Sequence, residues 1–296
     1  MIHIIIPVHN RLCHTIDCLE SISLHVKSDC SVTVVDDGST DGTADFLNNN
    51  YQYVDIITGD GSLFWTGCMN AGVENVLKKA NIGDFIMSLN NDVTLTGCSI
   101  KELLLEAKEE RKSLYGSLSL NGRDRDTIIT SGTIVKSWFF NITSHVYKSR
   151  SYACLKDYSA VKVNILTGRS VLYPIEIFKT IGNFDSINFP HYGGDDEFTI
   201  RAQNFGWGLS IVPRSIVYVD QTATGQNPTV KSLTLKLLFQ SIFSIRSTNN
   251  IIVRTRLANK IVPWYSKPTY IVIMSVKILM TVLLSLPSSV RELCKK

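Results

Sequence analysis

The stretch from Asp84 to Asp92 puts the tightest constraint on how this chain folds. Phe85-Ile86-Met87-Ser88-Leu89 is a short, nearly continuous apolar run. Runs of that length without polar alternation belong to strands buried on both faces. Asn90-Asn91-Asp92 ends the run, so a carboxylate is delivered at the carboxyl tip of a rigid strand. A carboxylate there can hold a metal ion against a phosphate group, and it can equally be an ordinary turn residue. The rest of the chain decides between the two.

The same pattern recurs upstream. Ile2–Val8 is an apolar, β-branched run with Pro7 near its end, and His9-Asn10-Arg11 makes the loop. Residues 15–24 carry Ile16, Leu19 and Ile22 at helical spacing. Residues 31–35 form a second strand, followed by Asp36-Asp37-Gly38-Ser39-Thr40-Asp41-Gly42-Thr43 and a helix over 43–47. A strand at 54–57, a helix at 70–79 and the strand Phe85–Leu89 continue the alternation. Repeated strand–loop–helix units predict an α/β fold, with a mostly parallel sheet flanked by helices. In open sheets of that kind the ligand lies outside the carboxyl ends of the strands. His9, Asp36, Asp37, Asp60, Asn91 and Asp92 all fall on that edge.

Asp60-Gly61-Ser62-Leu63-Phe64-Trp65-Thr66-Gly67 predicts a loop whose backbone comes close to a ligand, with an indole beside it. An aromatic plug under a surface loop explains Trp65 equally well. In the second half, 101–112 is a charged, solvated helix and 128–135 is strand-like. Asp195-Asp196-Glu197 stands at the start of a helix over 197–204, and acids there suit a helix N-terminus. Residues 207–219 read as a final pair of strands.

Three motifs occur in order at strand ends: Ile6-Pro7-Val8-His9-Asn10, Val34-Val35-Asp36-Asp37-Gly38-Ser39 and Leu89-Asn90-Asn91-Asp92. Together they resemble the family 2 inverting glycosyltransferases of GT-A (Rossmann-like) fold. Bacterial rhamnosyltransferase-like enzymes of cell-surface polysaccharide synthesis are the similar type. The resemblance covers residues 1–220 and implies a nucleotide-sugar donor and a Mg²⁺ or Mn²⁺ cofactor. It implies that Pro7 and His9 line the base, that Asp37 reads the pyrimidine N3–H, and that Asp92 binds the metal. Asp60, Trp65, Asn70, Asn91 and Arg169 would face the donor, and Asp220 is a further metal candidate. His9 stands where the family has Tyr or Phe, and Asn91 replaces the first acid of the metal motif. Aligning the acidic cluster on Arg201 makes Asp195 the catalytic base, with Asp196 as the alternative, and puts Gly194 where the family has Glu.

The implied activity is inverting transfer of a sugar from a UDP- or dTDP-sugar to a glycan or polyprenyl-linked acceptor. The rivals are a nucleotide-sugar-binding module without catalysis and a nucleotidyltransferase on a similar sheet. The latter would need a Gly-rich loop after the first strand, which Val8-His9-Asn10-Arg11 lacks. No nucleic-acid partner is expected.

Charge divides the chain. From Gln221 onward there are 11 Lys and Arg against one acid, Glu292; the rest has 19 basic and 25 acidic residues. We therefore expect a catalytic domain over 1–228, with a nucleotide-sugar half (1–112) and an acceptor half (113–228). A basic, amphipathic helical tail follows over 229–296. Residues 269–286 are apolar but interrupted by Lys277, which suits a helix lying in a membrane interface better than one crossing it. Packing on the body or forming a homodimer face are the other roles open to the tail. Seven cysteines without a CxxC pair fit a reducing compartment. The expected location is cytoplasmic, peripheral at the inner face of the cytoplasmic membrane.

Overall fold

The computed structural model describes residues 1–26, 30–147, 150–155, 158–220 and 242–284. The proposed boundary at 228/229 and the leucine-rich stretch 231–239 lie outside those residues.

One large sheet organises the body. Its strands are β1 (Ile2–Val8), β2 (Cys30–Asp36), β3 (Val54–Thr58), β4 (Phe85–Leu89), β5 (Val93–Leu95), β6 (Ser113–Asn121), β7 (Ile128–Thr130), β10 (Val161–Lys162), β11 (Ser170–Pro174) and β12 (Gly208–Val219). The order is β10-β12-β6-β11-β4-β1-β2-β3, with β5 beside β12 and β7 beside β6. β4, β1, β2 and β3 are mutually parallel, while β11 runs antiparallel between β4 and β6. A small hairpin, β8 (Thr133–Ser137) with β9 (Ile142–His145), stands apart from the sheet.

Both faces of β1 are covered. Ile4 and Ile6 pack with Cys18, Leu19 and Ile22 of α1 (Leu12–His25). Ile5 packs with Met69, Val73 and Val76 of α3 (Phe64–Leu77). Period-two alternation along the strand therefore feeds two separate cores, which is why the sequence run looks uniformly apolar. The remaining helices of the body are α2 (Thr43–Asn50), α4 (Ser99–Glu109), α5 (Glu176–Ile181) and α6 (Gly194–Asn204). α7 (Ile251–Ile261) and α8 (Lys267–Leu284) follow β12.

Three expectations are corrected. The helix foreseen at 70–79 starts at Phe64, so Phe64-Trp65 belongs to its first turn and not to a loop. The cause is a cap supplied from another loop: Asp37 accepts the N–H groups of Gly61, Leu63 and Phe64. The strand foreseen at 128–135 breaks at Gly132, whose φ of 72° suits glycine and sends β8 out of the sheet. The final strand pair is one strand of 12 residues, β12, with a register irregularity between Val212 and Ile216, where Pro213 lacks a donor.

The tail helices pack on the body. Val253 and Leu257 of α7 cluster with Phe189, and Lys260 pairs with Asp185 and sits over the Phe189 ring. On α8, Tyr270 meets Trp138 at 6.0 Å between ring centroids, and Lys277 Nζ donates to Asn141 O at 2.5 Å. Among the described residues no helix is long and apolar enough to cross a membrane.

Candidate active site at the carboxyl edge of the sheet

The loops after β1, β2 and β3 are stitched into one rim. Asn10 and Arg11 both have positive φ, 59° and 67°. Such a conformation costs about 1 kcal/mol or more for each non-glycine residue, so the surroundings must hold it. They do: Asn10 N donates to Ser39 Oγ (2.6 Å), Thr40 N to Asn10 Oδ1 (2.8 Å) and Leu12 N to Asp41 Oδ2 (3.0 Å). His9 Nδ1 donates to Asp37 O at 2.6 Å. A carbonyl only accepts, so Nδ1 is the donor in this bond. Pro7 is half-buried beneath it.

Asp37 is the hub of this rim and is 3% exposed. Its Oδ1 takes Gly61 N and Leu63 N at 2.8 and 3.1 Å, and its Oδ2 takes Phe64 N at 2.8 Å. A carboxylate offers about four lone-pair sites, so Oδ2 keeps room for one further donor. Asp36 is turned to its own loop and accepts Ser39 N at 3.1 Å. Asp60 is exposed and accepts Ser62 Oγ and N at 2.6 and 2.9 Å; these bonds hold its carboxyl below the usual range.

Trp65 links the rim to the tip of β4. Its Nε1 donates to Asn90 Oδ1 at 2.9 Å, and its ring meets Phe184 edge-on at 5.7 Å. The indole lies against Gly168 so closely that a Cβ there would fall 2.3 Å from it. Gly168 N in turn donates to Asp195 Oδ2 at 3.0 Å, and Asn90 N donates to Arg169 O at 3.1 Å.

Asp92 is 8% exposed, and its Oδ1 is buried without a hydrogen-bond partner. Burial pushes its carboxyl up, against the opposing pull of the Arg169, Arg11 and His14 charges. Arg169 Nη1 is also buried and unpartnered. Orphaned polar atoms are rare in folded proteins and mark places where a ligand can complete the bonding. Asp220 N donates to Asp92 O at 3.0 Å, and the Asp220 carboxylate lies 3.4 Å from His14 Nε2. Asp92, Asp220, His14, Asp17, Asn91 and Arg123 share a cavity of about 220 Å³. Among the described residues no three His, Cys, Asp or Glu side chains form a metal cage. The orphaned Asp92 oxygen, with Asp220 on the same cavity, nevertheless fits a hard cation whose shell is completed by phosphate oxygens and water.

Two expected donor contacts have scaffold partners. The Asn70 amide donates to Phe184 O (2.9 Å) and Ser186 Oγ (3.2 Å) and accepts Phe184 N (3.0 Å), so it fastens the 184–186 turn to α3. Asn91 Nδ2 donates to Thr15 Oγ1 of α1 at 3.2 Å.

The acids of α6 divide by role. Glu197 is buried and holds Arg201 bidentately (2.9 and 3.0 Å), and Arg201 donates onward to Asn183 O at 2.9 Å. That pair anchors the helix. Asp195 and Asp196 are half-buried at its head, and Asp195 Oδ1 accepts Asp196 N at 3.0 Å. Burial, together with the Asp195 charge, pushes the Asp196 carboxyl up to about 7, with Arg254 of α7 pulling the other way.

Sequence reading missed Arg11, His191, Tyr192, Arg254 and Tyr270 around these acids. The positive-φ turn at Asn10-Arg11 has no sequence signature, and the tail's pattern leaves membrane contact, packing on the body and dimerisation open.

Residues 3–164 match the family model described as Glycosyl transferase family 2. The structure of S. aureus TarS 1-349 in complex with UDP-GlcNAc is similar, with a TM-score of 0.52 and 16% identity over 97% of this chain and 81% of that one. GalNAc-T7 with UDP, GalNAc and Mn²⁺ gives 0.58 at 13% identity over 86% of this chain; this chain spans only 48% of that one. At such identities the likeness concerns the fold, and it bears out the GT-A arrangement. No curated protein matches the sequence. Because the family match extends over more than half of its length, the chain belongs to glycosyl transferase family 2.

Proposed function

We propose that the protein is an inverting, metal-dependent hexosyltransferase. It moves a sugar from a UDP- or dTDP-sugar to a hydroxyl of a glycan or polyprenyl-linked acceptor in the synthesis of a cell-surface polysaccharide such as O-antigen or capsule. The observation that carries this reading is the path Asp195–Gly168–Trp65–Asn90, in which one indole joins the head of α6 to the tip of β4. A carboxylate suited to proton abstraction and one suited to a diphosphate thus belong to a single rigid cluster.

In this reading the base stacks by Pro7 and His9, and the remaining lone pair of Asp37 accepts N3–H of uracil or thymine. Asp60 lies at the rim of the same pocket. Asp195, with Asp196 as the alternative, removes the proton of the acceptor hydroxyl. The hydroxyl oxygen attacks the anomeric carbon from the face opposite the diphosphate. The bond from that carbon to the diphosphate oxygen breaks, and its electrons leave with the nucleoside diphosphate. Arg169 offers its unpartnered Nη1 to the leaving diphosphate. Mg²⁺ or Mn²⁺, held by Asp92 with Asp220, would supply charge neutralisation of that group. The Mn²⁺ in the GalNAc-T7 structure supports this assignment. Trp65, Asn70 and Asn91 act as positioning residues.

An apolar face of α8 favours a membrane-surface location on the cytoplasmic side. Val272, Val276, Leu279 and Met280 fall on one helical face and are each at least 50% exposed, and Trp264 in the turn before the helix is 81% exposed. A patch of that kind is an interaction surface. The test of the activity is a panel of nucleotide sugars assayed for donor hydrolysis and transfer. The wild type should consume one UDP- or dTDP-sugar, and Asp195→Asn should not.

A further inference from the structure

The turn between β8 and β9 has an unusual composition. Turn tips are normally built from Gly, Pro, Asn, Asp and Ser. Here Trp138-Phe139-Phe140-Asn141 makes the tip, and Phe139 and Phe140 are 44% and 57% exposed. The turn is closed from within. Asn141 N donates to Trp138 O at 3.2 Å, and Phe140 N donates to Ser137 Oγ at 3.2 Å. Asn141 has a φ of 47°, a conformation that Asn tolerates better than most residues. The two phenyl rings meet edge-on at 5.0 Å, and neither joins a buried cluster of the described residues.

α8 fixes this turn from the side. Tyr270 meets the Trp138 ring, and Lys277, two helical turns further on, donates to Asn141 O. The lysine that interrupts the apolar segment of α8 is thus engaged with the turn. The other end of the hairpin is braced on the body. Thr133 N donates to Ile165 O and Val135 N to Asn164 Oδ1, both at 2.9 Å. Three residues beyond Ile165, Gly168 N holds the Asp195 carboxylate. At about 3.3 Å per residue, a strand the length of β8 carries the tip about 15 Å beyond that base.

The surrounding charge has one sign. Residues 127–156 contain four Lys or Arg and residues 242–284 contain six, with no Asp or Glu in either stretch. Lys136, Arg150, Arg256 and Lys277 among them are exposed. Two copies of this face would bring like charges together, whereas an anionic lipid surface attracts them. Exposed apolar groups rimmed by basic ones suit insertion into a lipid interface.

We propose that the β8–β9 turn is a second lipid-inserting element, which places Phe139 and Phe140 in the interface of an anionic membrane beside α8. The inference rests on the membrane-surface location proposed above and adds to it an anchor in the body of the protein. One reversibly inserted element gives marginal attachment, and two give stable attachment. Because the hairpin is braced next to Gly168, this anchor also sets the height of Asp195 over the membrane, where a lipid-linked acceptor presents its hydroxyl.

The test is co-sedimentation of the full chain, at low salt, with vesicles of phosphatidylglycerol and phosphatidylcholine. Phe139→Ser with Phe140→Ser removes the rings and leaves the charge unchanged. It should weaken vesicle binding by about ten-fold or more, with melting temperature and UDP affinity unchanged. Phe139→Leu with Phe140→Leu keeps the apolar surface and should bind within about three-fold of the wild type. Unchanged binding of the serine variant, with Val276→Asp combined with Leu279→Asp released from the vesicles, overturns the proposal and leaves α8 as the anchor. A wild type that stays in the supernatant contradicts the membrane location itself, and the second anchor with it. Wild-type dimerisation that the serine variant abolishes, with vesicle binding unchanged, overturns the proposal in favour of a self-association surface. Loss of transfer to a soluble acceptor, again with vesicle binding unchanged, overturns it in favour of a platform for the acceptor glycan.

Discussion

Gly168 donates its backbone N–H to Asp195 Oδ2 at 3.0 Å while its Cα carries the face of Trp65. One residue therefore sets both the position of the candidate base and the seat of the indole that reaches Asn90. A side chain at this position has nowhere to go. Gly168→Ala would drive a methyl group into the indole, and overpacking of this kind costs about 1–3 kcal/mol. We expect a lowered melting temperature and a kcat reduced by about ten-fold or more, because the acid at the head of α6 moves with the loop. Trp65→Phe should be milder, since it removes the bond to Asn90 but leaves an aromatic plug. Thermal melts and steady-state kinetics on both variants check the ranking.

Asp196 gives a pH signature. Its carboxyl is raised from 3.8 to about 7 in the folded protein. The folded state therefore holds the proton more tightly than the unfolded chain. Its contribution to stability is fully present below the unfolded value and is lost as pH rises through about 7. The melting temperature should fall between pH 5 and pH 8 by more in the wild type than in Asp196→Asn. At pH 8 the variant should be the more stable of the two. Melts of both proteins across that range, at constant ionic strength, provide the comparison.

The cation prediction follows from the orphaned Asp92 oxygen. Activity should vanish after chelation and return with Mg²⁺ or Mn²⁺. Asp92→Ala should lower turnover by about 10²-fold, in line with the loss of a strong electrostatic contact to the leaving group. Nucleoside binding through the Asp37 rim should survive. Full turnover in excess chelator, after removal of bound metal, would contradict the assignment.

Membrane attachment can be tested without disturbing the site. Truncating the tail would strip α7 from Phe189 and Asp196, so removal of the whole segment does not isolate lipid binding. Val276→Asp with Leu279→Asp alters only the exposed face of α8. The wild type should sediment with anionic vesicles at low salt, and the double variant should remain in the supernatant with its fold intact. A wild type that ignores such vesicles but dimerises in solution would make the same face a self-association surface.

Much of the first half was legible in the sequence. Strands β1, β2, β3 and β4 are local apolar runs, and their polar ends fall on one sheet edge by topology alone. That is enough to bring Asp37, Asp60 and Asp92 to a common region. What the sequence did not reveal depends on contacts across long separations. The cap of α3 comes from Asp37, 27 residues before Phe64, so the start of the helix was misread. The Asn70 amide looked like a ligand contact because its partners lie more than 110 positions away in the chain. The tail read as a separate element because its amphipathic pattern is the same for lipid and for a protein core. The packing of Val253 and Leu257 on Phe189, and the pull of the Arg254 charge on Asp196, show that α7 lies against the head of α6.

The most direct measurement of the central claim is the turnover and UDP affinity of Asp195→Asn beside those of Asp196→Asn. If Asp195 is the general base, its amide variant should lose about 10²-fold or more in kcat, with UDP affinity within about two-fold of wild type. Asp196→Asn should retain most of its turnover. Near-wild-type turnover in Asp195→Asn, with Asp196→Asn inactive, would move the base one residue along α6. Undiminished turnover in both variants would contradict proton abstraction at the head of this helix altogether.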